Sequence, residues 1–183
     1  MKQIQPIVIF GSSREKGETW NALSQVLQPS EMTFVDLSKL TISYFDYNHQ
    51  NAHDDFIPLA EQIIQHDVIL LATPVYWYTM SAQMKTFLDR WSDLLTLRKD
   101  LGRAMKGKKL LVMTSYGSSH PKGFEAAFEQ TCEYMGMQWG GCFYFINDNE
   151  TEKIKNNQVT ANALRKAISE YTGYKHAIET IPE

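Results

Sequence analysis

The chain alternates continuous apolar runs with longer stretches in which apolar residues recur at helical spacing. The apolar runs predict five β-strands, at about residues 5–10, 32–37, 67–73, 109–114 and 140–146. Three of these strands contain runs without any polar residue, at 7–10, 68–72 and 110–113. Strands that lack alternating polar positions are typical of a parallel sheet that is buried on both faces.

The stretches between the strands carry apolar stripes with the 3.6-residue period of an amphipathic helix. The clearest stripes cover residues 56–64, 84–95, 124–135 and 164–171. Strands that alternate with helices predict an α/β doubly wound sandwich built on a five-stranded parallel sheet. Right-handed crossovers leave few strand orders, and 2-1-3-4-5 is the common one for five strands. Ligand chemistry is then expected in the loops after strands 1, 3 and 4.

Size and composition favour one domain over residues 1–183 and argue against several classes of function. The chain has 43% hydrophobic residues and a net charge of −3, so nothing indicates nucleic-acid binding. No apolar run approaches the roughly twenty residues of a membrane span. The N-terminal residues show no signal-peptide pattern, so we expect a cytoplasmic protein. Cys132 and Cys142 have no metal-ligand spacing and are expected to be buried free thiols.

The loop after the first strand has the composition of a phosphate-binding loop. Residues 11–19 read Gly-Ser-Ser-Arg-Glu-Lys-Gly-Glu-Thr and lead into a predicted helix. The first N–H groups of a helix lack intrahelical partners and carry the positive end of its dipole. Ser12, Ser13 and Thr19 add hydroxyl donors, and Arg14 adds a charged one. The loop matches neither Walker A nor Gly-x-Gly-x-x-Gly, and a polar loop that merely caps a helix is the alternative.

The loop after the third strand contains three consecutive aromatic residues, at positions 76–78. Such side chains either pack under a neighbouring helix or subunit, or flank a flat ring with polar edges. Pro74 stiffens the turn. The backbone N–H groups that follow are expected to be free for the polar edge of a heterocycle. Ser81 is expected to cap the next helix.

The loop after the fourth strand closes the same crevice in the predicted strand order. Gly117 permits close approach of a ligand to the backbone, and Tyr116 supplies another flat face. A simple turn of Ser, Gly and Pro residues explains this segment equally well.

Three further groups of side chains have both a functional and a structural interpretation. Two histidines and three aspartates within residues 46–55 could ligate a metal. A solvated loop in which an aspartate caps the next helix is the favoured interpretation, so no metal site is predicted. A basic run within residues 98–109 could meet a nucleotide 2′-phosphate, although such runs are usually solvated faces. His120 could donate a proton to a reduced substrate, but the sequence shows no partner for it.

Three segments together carry a family resemblance. They are Gly-Ser-Ser-Arg-x-x-Gly-x-Thr at 11–19, Thr-Pro-Val-Tyr-Trp-Tyr-x-Met-Ser-Ala-Gln-Met-Lys-x-Phe-Leu-Asp-Arg at 73–90, and Ser-Tyr-Gly at 115–117. With these segments the chain resembles the NAD(P)H-dependent FMN reductases of the flavodoxin-like superfamily. The second motif is long and specific, the other two are shorter, and the resemblance spans about residues 5–146.

The resemblance implies a flavodoxin-like fold, FMN as cofactor and NADPH or NADH as co-substrate. The first loop would hold the FMN phosphate with Ser12, Arg14, Gly17, Glu18 and Thr19. The second would hold the isoalloxazine ring with Pro74, Val75, Tyr76, Trp77 and Tyr78. The third would border the ring with Ser115, Tyr116 and Gly117. Relatives often have asparagine at position 18, and a carboxylate repels phosphate, so Glu18 is expected to contribute only its backbone N–H.

The expected activity is electron transfer from NAD(P)H to a flavin, a quinone or a similar small acceptor by a ping-pong mechanism. The flavin carries the redox chemistry, so no side chain is predicted to be strictly catalytic. The resemblance also implies a homodimer or tetramer. A flavodoxin-type one-electron carrier is the competing class, but it would have a strongly acidic docking face. A flavin-free scaffold with the same fold is a third possibility.

Overall fold

The computed structural model describes residues 5–117, 119–147 and 150–172. Its core is a sheet of five parallel strands: β1 (Ile7–Phe10), β2 (Thr33–Asp36), β3 (Val68–Pro74), β4 (Lys109–Tyr116) and β5 (Gln138–Ile146). The strand order is β2-β1-β3-β4-β5, and every neighbouring pair is parallel. The predicted sheet and its order are confirmed. The ends of the single domain expected over 1–183, and Ser118 of the third loop, lie outside the described residues.

Seven helices cover the two faces of the sheet in the described part of the chain. They are α1 (Glu18–Ser24), α2 (Phe56–Ile63), α3 (Ala82–Asp89), α4 (Asp93–Thr96), α5 (Lys99–Ala104), α6 (Ala126–Tyr134) and α7 (Thr151–Thr172). Within the described ranges, none of these helices is both long and apolar enough to cross a membrane.

The stripe predicted over 84–95 does not form one uninterrupted α-helix. The chain tightens to a 3-10 turn at Arg90–Ser92 between α3 and α4. A 3-10 turn brings side chains three positions apart into line, and here it joins Arg90 Nε to Asp93 Oδ2 at 2.7 Å. The apolar face continues through the turn, because Met84, Phe87 and Leu94 are all buried.

Two hydrophobic cores lie on opposite faces of the sheet because successive side chains of each strand point to opposite sides. Ile7 and Ile9 pack with α2, α3 and α6, whereas Val8 and Phe10 pack with α1 and α7. Every residue of β1 and β3 is buried, as the apolar runs predict.

The two cysteines are free. Cys132 is buried as predicted, but Cys142 on β5 is only partly buried, because it lies on the outermost strand of the sheet. Burial raises the pKa of the Cys132 thiol to about 11 and that of Cys142 to about 12. Both thiols are therefore protonated and unreactive at neutral pH.

Candidate functional site

The first loop begins with a close contact between β1 and α3. A Cβ atom on Gly11 would come within 3.1 Å of Met84 Cβ, so glycine lets the loop leave the sheet next to that helix. Ser12 and Thr19 are buried, whereas Arg14 and Glu18 are exposed. Gly17 is the N-cap of α1 and provides no side-chain cap for the first N–H groups of the helix. Within the described residues Arg14 forms no ion pair, so its charge is available to a ligand.

The predicted cap at Ser81 is confirmed, and it joins the first two loops. Ser81 Oγ accepts a hydrogen bond from the Met84 N–H at 3.2 Å and donates one to the Gly11 carbonyl at 2.7 Å. Thr73 Oγ1 donates to the same hydroxyl at 3.2 Å. The start of α3 is therefore fixed to the ends of both β1 and β3.

A buried contact between hydroxyl groups joins the first and third loops. Thr19 Oγ1 and Ser115 Oγ lie 2.7 Å apart, and both residues are buried. Ser115 and Tyr116 were expected in a loop, but they belong to β4. That strand stays paired with its neighbours to its end, because Pro74 lies opposite Ser115 and Ile146 lies opposite Tyr116. The hydroxyls of Thr19 and Ser115 thus stand together at the carboxyl ends of the strands.

The three aromatics after β3 form a tight turn that presents its tip to solvent. The Tyr76 N–H donates to the Thr79 carbonyl at 2.8 Å, and the Thr79 N–H donates back at 3.1 Å. Trp77 and Tyr78 have φ angles of +48° and +66°, which is the geometry of a type I′ turn. Left-handed backbone is unfavourable for bulky residues. Trp77 is 93% exposed and Tyr78 is 68% exposed, so neither side chain packs under a helix of the described part of the chain.

The expectation of free N–H groups over 75–78 is wrong for two of the four residues. The Val75 N–H donates to the Ser115 carbonyl at 2.9 Å, and the Tyr76 N–H closes the turn. These two N–H groups already have backbone acceptors, because the pairing of β3 with β4 extends to Val75 and the turn begins at the next residue. In the described contacts, the N–H groups of Trp77 and Tyr78 have no backbone acceptor and remain available to a ligand.

In the loop after β4, His120 lies in an aromatic cluster that the sequence did not predict. The His120 ring centroid lies 4.4 Å from that of Tyr144 and 5.6 Å from that of Tyr116. The Tyr144 hydroxyl donates to the Glu125 carboxylate. Burial, together with this hydrogen bond, raises the pKa of Tyr144, and the same bond lowers the pKa of Glu125. Gly117 beside this cluster is exposed, with open space where a Cβ would stand.

Among the described residues, those of 46–55 included, no three or more His, Cys, Asp or Glu side chains form a group that could hold a metal ion. Asp54 is buried against Arg90, and His49 Nδ1 lies 2.9 Å from Asp93 Oδ1. Asp55 is the N-cap of α2 but makes no side-chain cap bond, whereas Asp54, one residue earlier, accepts the Phe56 N–H at 3.0 Å. The expectation of a solvated loop is wrong for Asp54, because Arg90 reaches it from the 3-10 turn that follows α3.

The basic run within residues 98–109 lies far from the three loops. It leads into Lys109, the first residue of β4, and so it flanks the opposite end of the sheet. Arg98 bonds to Asp100 and Glu61, and Lys108 Nζ donates to the Ile64 and His66 carbonyls. These contacts favour a structural role over recognition of a nucleotide at the site.

The described residues fit the FMN expected from the sequence. Ser12, Thr19 and Ser115 provide hydroxyls at the carboxyl ends of β1 and β4, and Arg14 provides a cation without a partner within the same part of the chain. The aromatic turn offers free N–H groups beside a large flat surface. A phosphate needs the first set of groups and an isoalloxazine ring needs the second.

Comparisons with known proteins show which family the chain resembles. The sequence model of the NADPH-dependent FMN reductase family matches residues 5–152. YwqN of Bacillus subtilis, whose name describes an NAD(P)H-dependent FMN-containing oxidoreductase, is 28% identical over 170 residues, covering 86% of this chain and 93% of YwqN.

Solved structures give the same fold. The Trp repressor binding protein from Bacillus subtilis superimposes with a TM-score of 0.67 at 25% identity, covering 88% of this chain and 98% of that one. An FMN-dependent NADH-azoreductase from Bacillus anthracis, solved with FMN, has a TM-score of 0.64 at 8% identity, covering 91% and 98% of the two chains. The family match spans all three loops of the candidate site, and the chain belongs to the NADPH-dependent FMN reductase family.

Proposed function

We propose that this protein is an FMN-dependent oxidoreductase that takes electrons from NAD(P)H and passes them to a quinone, a free flavin or a similar small acceptor by a ping-pong mechanism. One observation carries the proposal. The hydroxyl, guanidinium and N–H groups of the first loop lie with an exposed aromatic turn at the ends of β1, β3 and β4. The contacts of Ser81 and of Thr19 with Ser115 hold these segments together.

The proposed roles follow from the position of each residue in the first loop and from its charge. Ser12, Gly17 and Thr19 would hold the FMN phosphate through hydroxyl and backbone donors, and Arg14 would neutralise its charge. Glu18 would contribute its backbone N–H, because its side chain is exposed and lines a surface recess with Asn21 and Asn147.

The ring would lie between two bordering segments. One segment is the end of β3 together with the aromatic turn: Pro74, Val75, Tyr76, Trp77 and Tyr78. The other segment comprises Ser115, Tyr116 and Gly117. Bound FMN supplies the hydride and electron chemistry, and the protein supplies position and preorganised dipoles. Of the dipoles near the ring, the N–H groups of Trp77 and Tyr78 are the ones without a backbone partner in the described residues. They would stabilise negative charge at the polar edge of the ring.

This arrangement leaves one face of the ring for both substrates. The turn covers the other face, and two flat molecules cannot stack on the same face together. NAD(P)H must therefore leave before the acceptor enters. Plots of reciprocal rate against reciprocal NAD(P)H concentration, measured at several quinone concentrations, should give parallel lines. Intersecting lines would mean a ternary complex and would refute the shared face.

Replacement of Trp77 by alanine should disturb the flavin but not the fold. The side chain is 93% exposed, so its removal creates no core cavity of the kind that destabilises proteins. We expect a shifted visible spectrum of bound FMN, with the melting temperature of the apoprotein unchanged. Trp91→Ala is the matched control, because Trp91 is buried and its loss should cost about 3–5 kcal/mol of stability. If Trp77→Ala destabilised the apoprotein as much as the control, Trp77 would be a core residue.

The exposed aromatic turn also supports a proposal about assembly. Trp77 is 93% exposed and Tyr78 is 68% exposed. Neighbouring large aromatic side chains that face solvent are typical of a protein–protein contact surface. We propose a homodimer or tetramer in which a second copy covers the turn, working in the cytoplasm. Analytical ultracentrifugation of the wild type and of Trp77→Ala tests whether this turn contributes to the assembly.

A further inference from the structure

A cavity of about 610 Å³ lies next to the first loop but outside the proposed FMN site. It is bounded by that loop, by the edge strand β2 with the turn that follows it, and by α2. Its volume is within the range of small-molecule sites. None of the residues proposed to bind FMN lines it, so the FMN assignment leaves the cavity unexplained.

One wall of the cavity is apolar and suits a flat heterocycle. Phe34 is 37% exposed, although its ring packs edge-on against Trp20 at 5.2 Å. Leu40, Pro58 and Leu59 complete this wall. Exposed aromatic and aliphatic surface inside a cavity is the usual environment of a bound base or similar ring.

The charged side chains of the cavity are three carboxylates and two lysines. Glu15 and Lys39 pair with each other at 3.3 Å. Asp55 accepts the Thr41 N–H at 2.7 Å. In the described residues, Lys16 has no ion-pair partner.

Asp36 lies at the carboxyl end of β2, and its Oδ1 accepts the Ser38 N–H at 2.9 Å. Its Oδ2 has no hydrogen-bond partner among the described contacts and can accept from a ligand hydroxyl. The excess of carboxylates over lysines disfavours a phosphate group beside Asp36.

A surface recess extends from the cavity to the start of α3, the helix that follows the aromatic turn. The recess shares Leu40 with the cavity and extends over Ala82 and Gln83. Ser81, which caps this helix, is separated from the turn at Tyr76–Thr79 by Met80 alone. A long molecule with a ring at each end could therefore have one ring on the turn and the other in the cavity.

We propose that the cavity binds the adenosine half of a nicotinamide dinucleotide and that the enzyme consequently prefers NADH to NADPH. Asp36 accepts a hydrogen bond from the ribose 2′-hydroxyl, the base lies on the Phe34 wall, and Lys16 faces the diphosphate. In Rossmann folds a carboxylate about twenty residues after a Gly-x-Gly-x-x-Gly turn plays this part and favours NAD over NADP. The first loop of this chain lacks that glycine pattern, so the role of Asp36 rests on its place at the cavity and on its Oδ2, which has no partner among the described contacts. This inference rests on the proposed use of NAD(P)H, and it departs from the NADPH named in the family description.

The first test measures binding to the FMN-loaded protein by calorimetry. AMP has a free 2′-hydroxyl, and 2′,5′-ADP carries a phosphate there. We expect AMP to bind at least about tenfold more tightly than 2′,5′-ADP. The 2′-phosphate replaces the hydroxyl that would donate a charge-assisted hydrogen bond to Asp36, and it repels the Asp36 carboxylate. Asp36→Asn should reduce or reverse this difference, since the amide keeps an acceptor for the Ser38 N–H but loses the charge. Glu129→Gln removes an exposed carboxylate on α6 and should leave the difference unchanged.

The second test compares kcat/KM for NADH and NADPH. The wild type should favour NADH, and Asp36→Asn should lower the NADH-to-NADPH ratio by about tenfold or more. A wild-type preference for NADPH, or an unchanged ratio in Asp36→Asn, would overturn the inference. Absence of AMP binding in a protein whose flavin is still bleached by NADH would also overturn it, and the proposed function would stand. AMP binding without bleaching by either nucleotide would support the cavity and refute the proposed function.

Discussion

Replacement of Arg90 by methionine should cost about 3–5 kcal/mol of unfolding free energy, the usual loss when one partner of a buried ion pair is removed. Arg90 is 1% exposed and donates to Asp54, to Asp93 and to the carbonyls of Ser43 and Asn51. Methionine keeps most of the volume but leaves two carboxylates without their cation. Denaturant unfolding of the apoprotein measures the loss.

Lys85→Met on α3, the helix that directly precedes Arg90, is the matched control. Lys85 pairs with Asp89, but both side chains are about half exposed, and exposed pairs contribute about 1 kcal/mol at most. Equal losses in the two variants would mean that the Arg90 network does not hold the loop of residues 43–54 to the body of the protein.

The same network predicts how stability depends on pH. Burial by itself would raise the pKa of Asp54, but hydrogen bonds from Arg90, Ser43 and Phe56 hold it below the ordinary value of 3.8. The Asp54 carboxyl therefore binds a proton more readily in the unfolded chain than in the folded protein. Its contribution to the free energy of unfolding is present above pH 3.8 and is lost as the pH falls through the lowered pKa. The stability gap between wild type and Arg90→Met should narrow in that acid range. A gap independent of pH would contradict the assignment to ion pairing.

Arg14→Ala should weaken FMN binding by roughly tenfold to a hundredfold, the value of a hydrogen bond to a charged group. The side chain is exposed and has no ion-pair partner within the described residues, so the apoprotein should keep its stability. Riboflavin lacks the phosphate, and its affinity should change much less. Fluorescence titration with both ligands measures the two effects.

Arg103→Ala is the matched control for Arg14→Ala. Arg103 is also exposed but belongs to α5, away from the three loops, so its loss should leave both affinities unchanged. An equal loss of FMN and riboflavin affinity in Arg14→Ala would show that Arg14 does not bind the phosphate.

The strands could be predicted because each is determined by its own residues. A run such as 68–72, without a polar position, forms a stable strand only if both faces are buried, and β3 is buried throughout. The order of the strands followed from the handedness of crossovers. The cap at Ser81 was predictable for a similar reason, since its bonding partner Met84 is three residues away.

The remaining features depend on residues that are distant in sequence. Arg90 and Asp54 are 36 positions apart, and Thr19 and Ser115 are 96 apart, so no local pattern indicates that they meet. The turn at Trp77 and Tyr78 was missed because its residue preferences point elsewhere: type I′ turns favour Asn and Gly. The aromatic residues there are held in a left-handed backbone, and such strain is often retained at a functional site.

Anaerobic mixing of the purified, FMN-loaded protein with NADH or NADPH, with the visible absorption of the flavin recorded, tests whether the bound flavin takes electrons from a nicotinamide nucleotide. The flavin band should bleach with at least one of the two nucleotides before any acceptor is added. Addition of a quinone should then restore it. A protein that binds no flavin, or a flavin band that neither nucleotide bleaches, would contradict the claim that this fold carries an NAD(P)H-dependent FMN oxidoreductase.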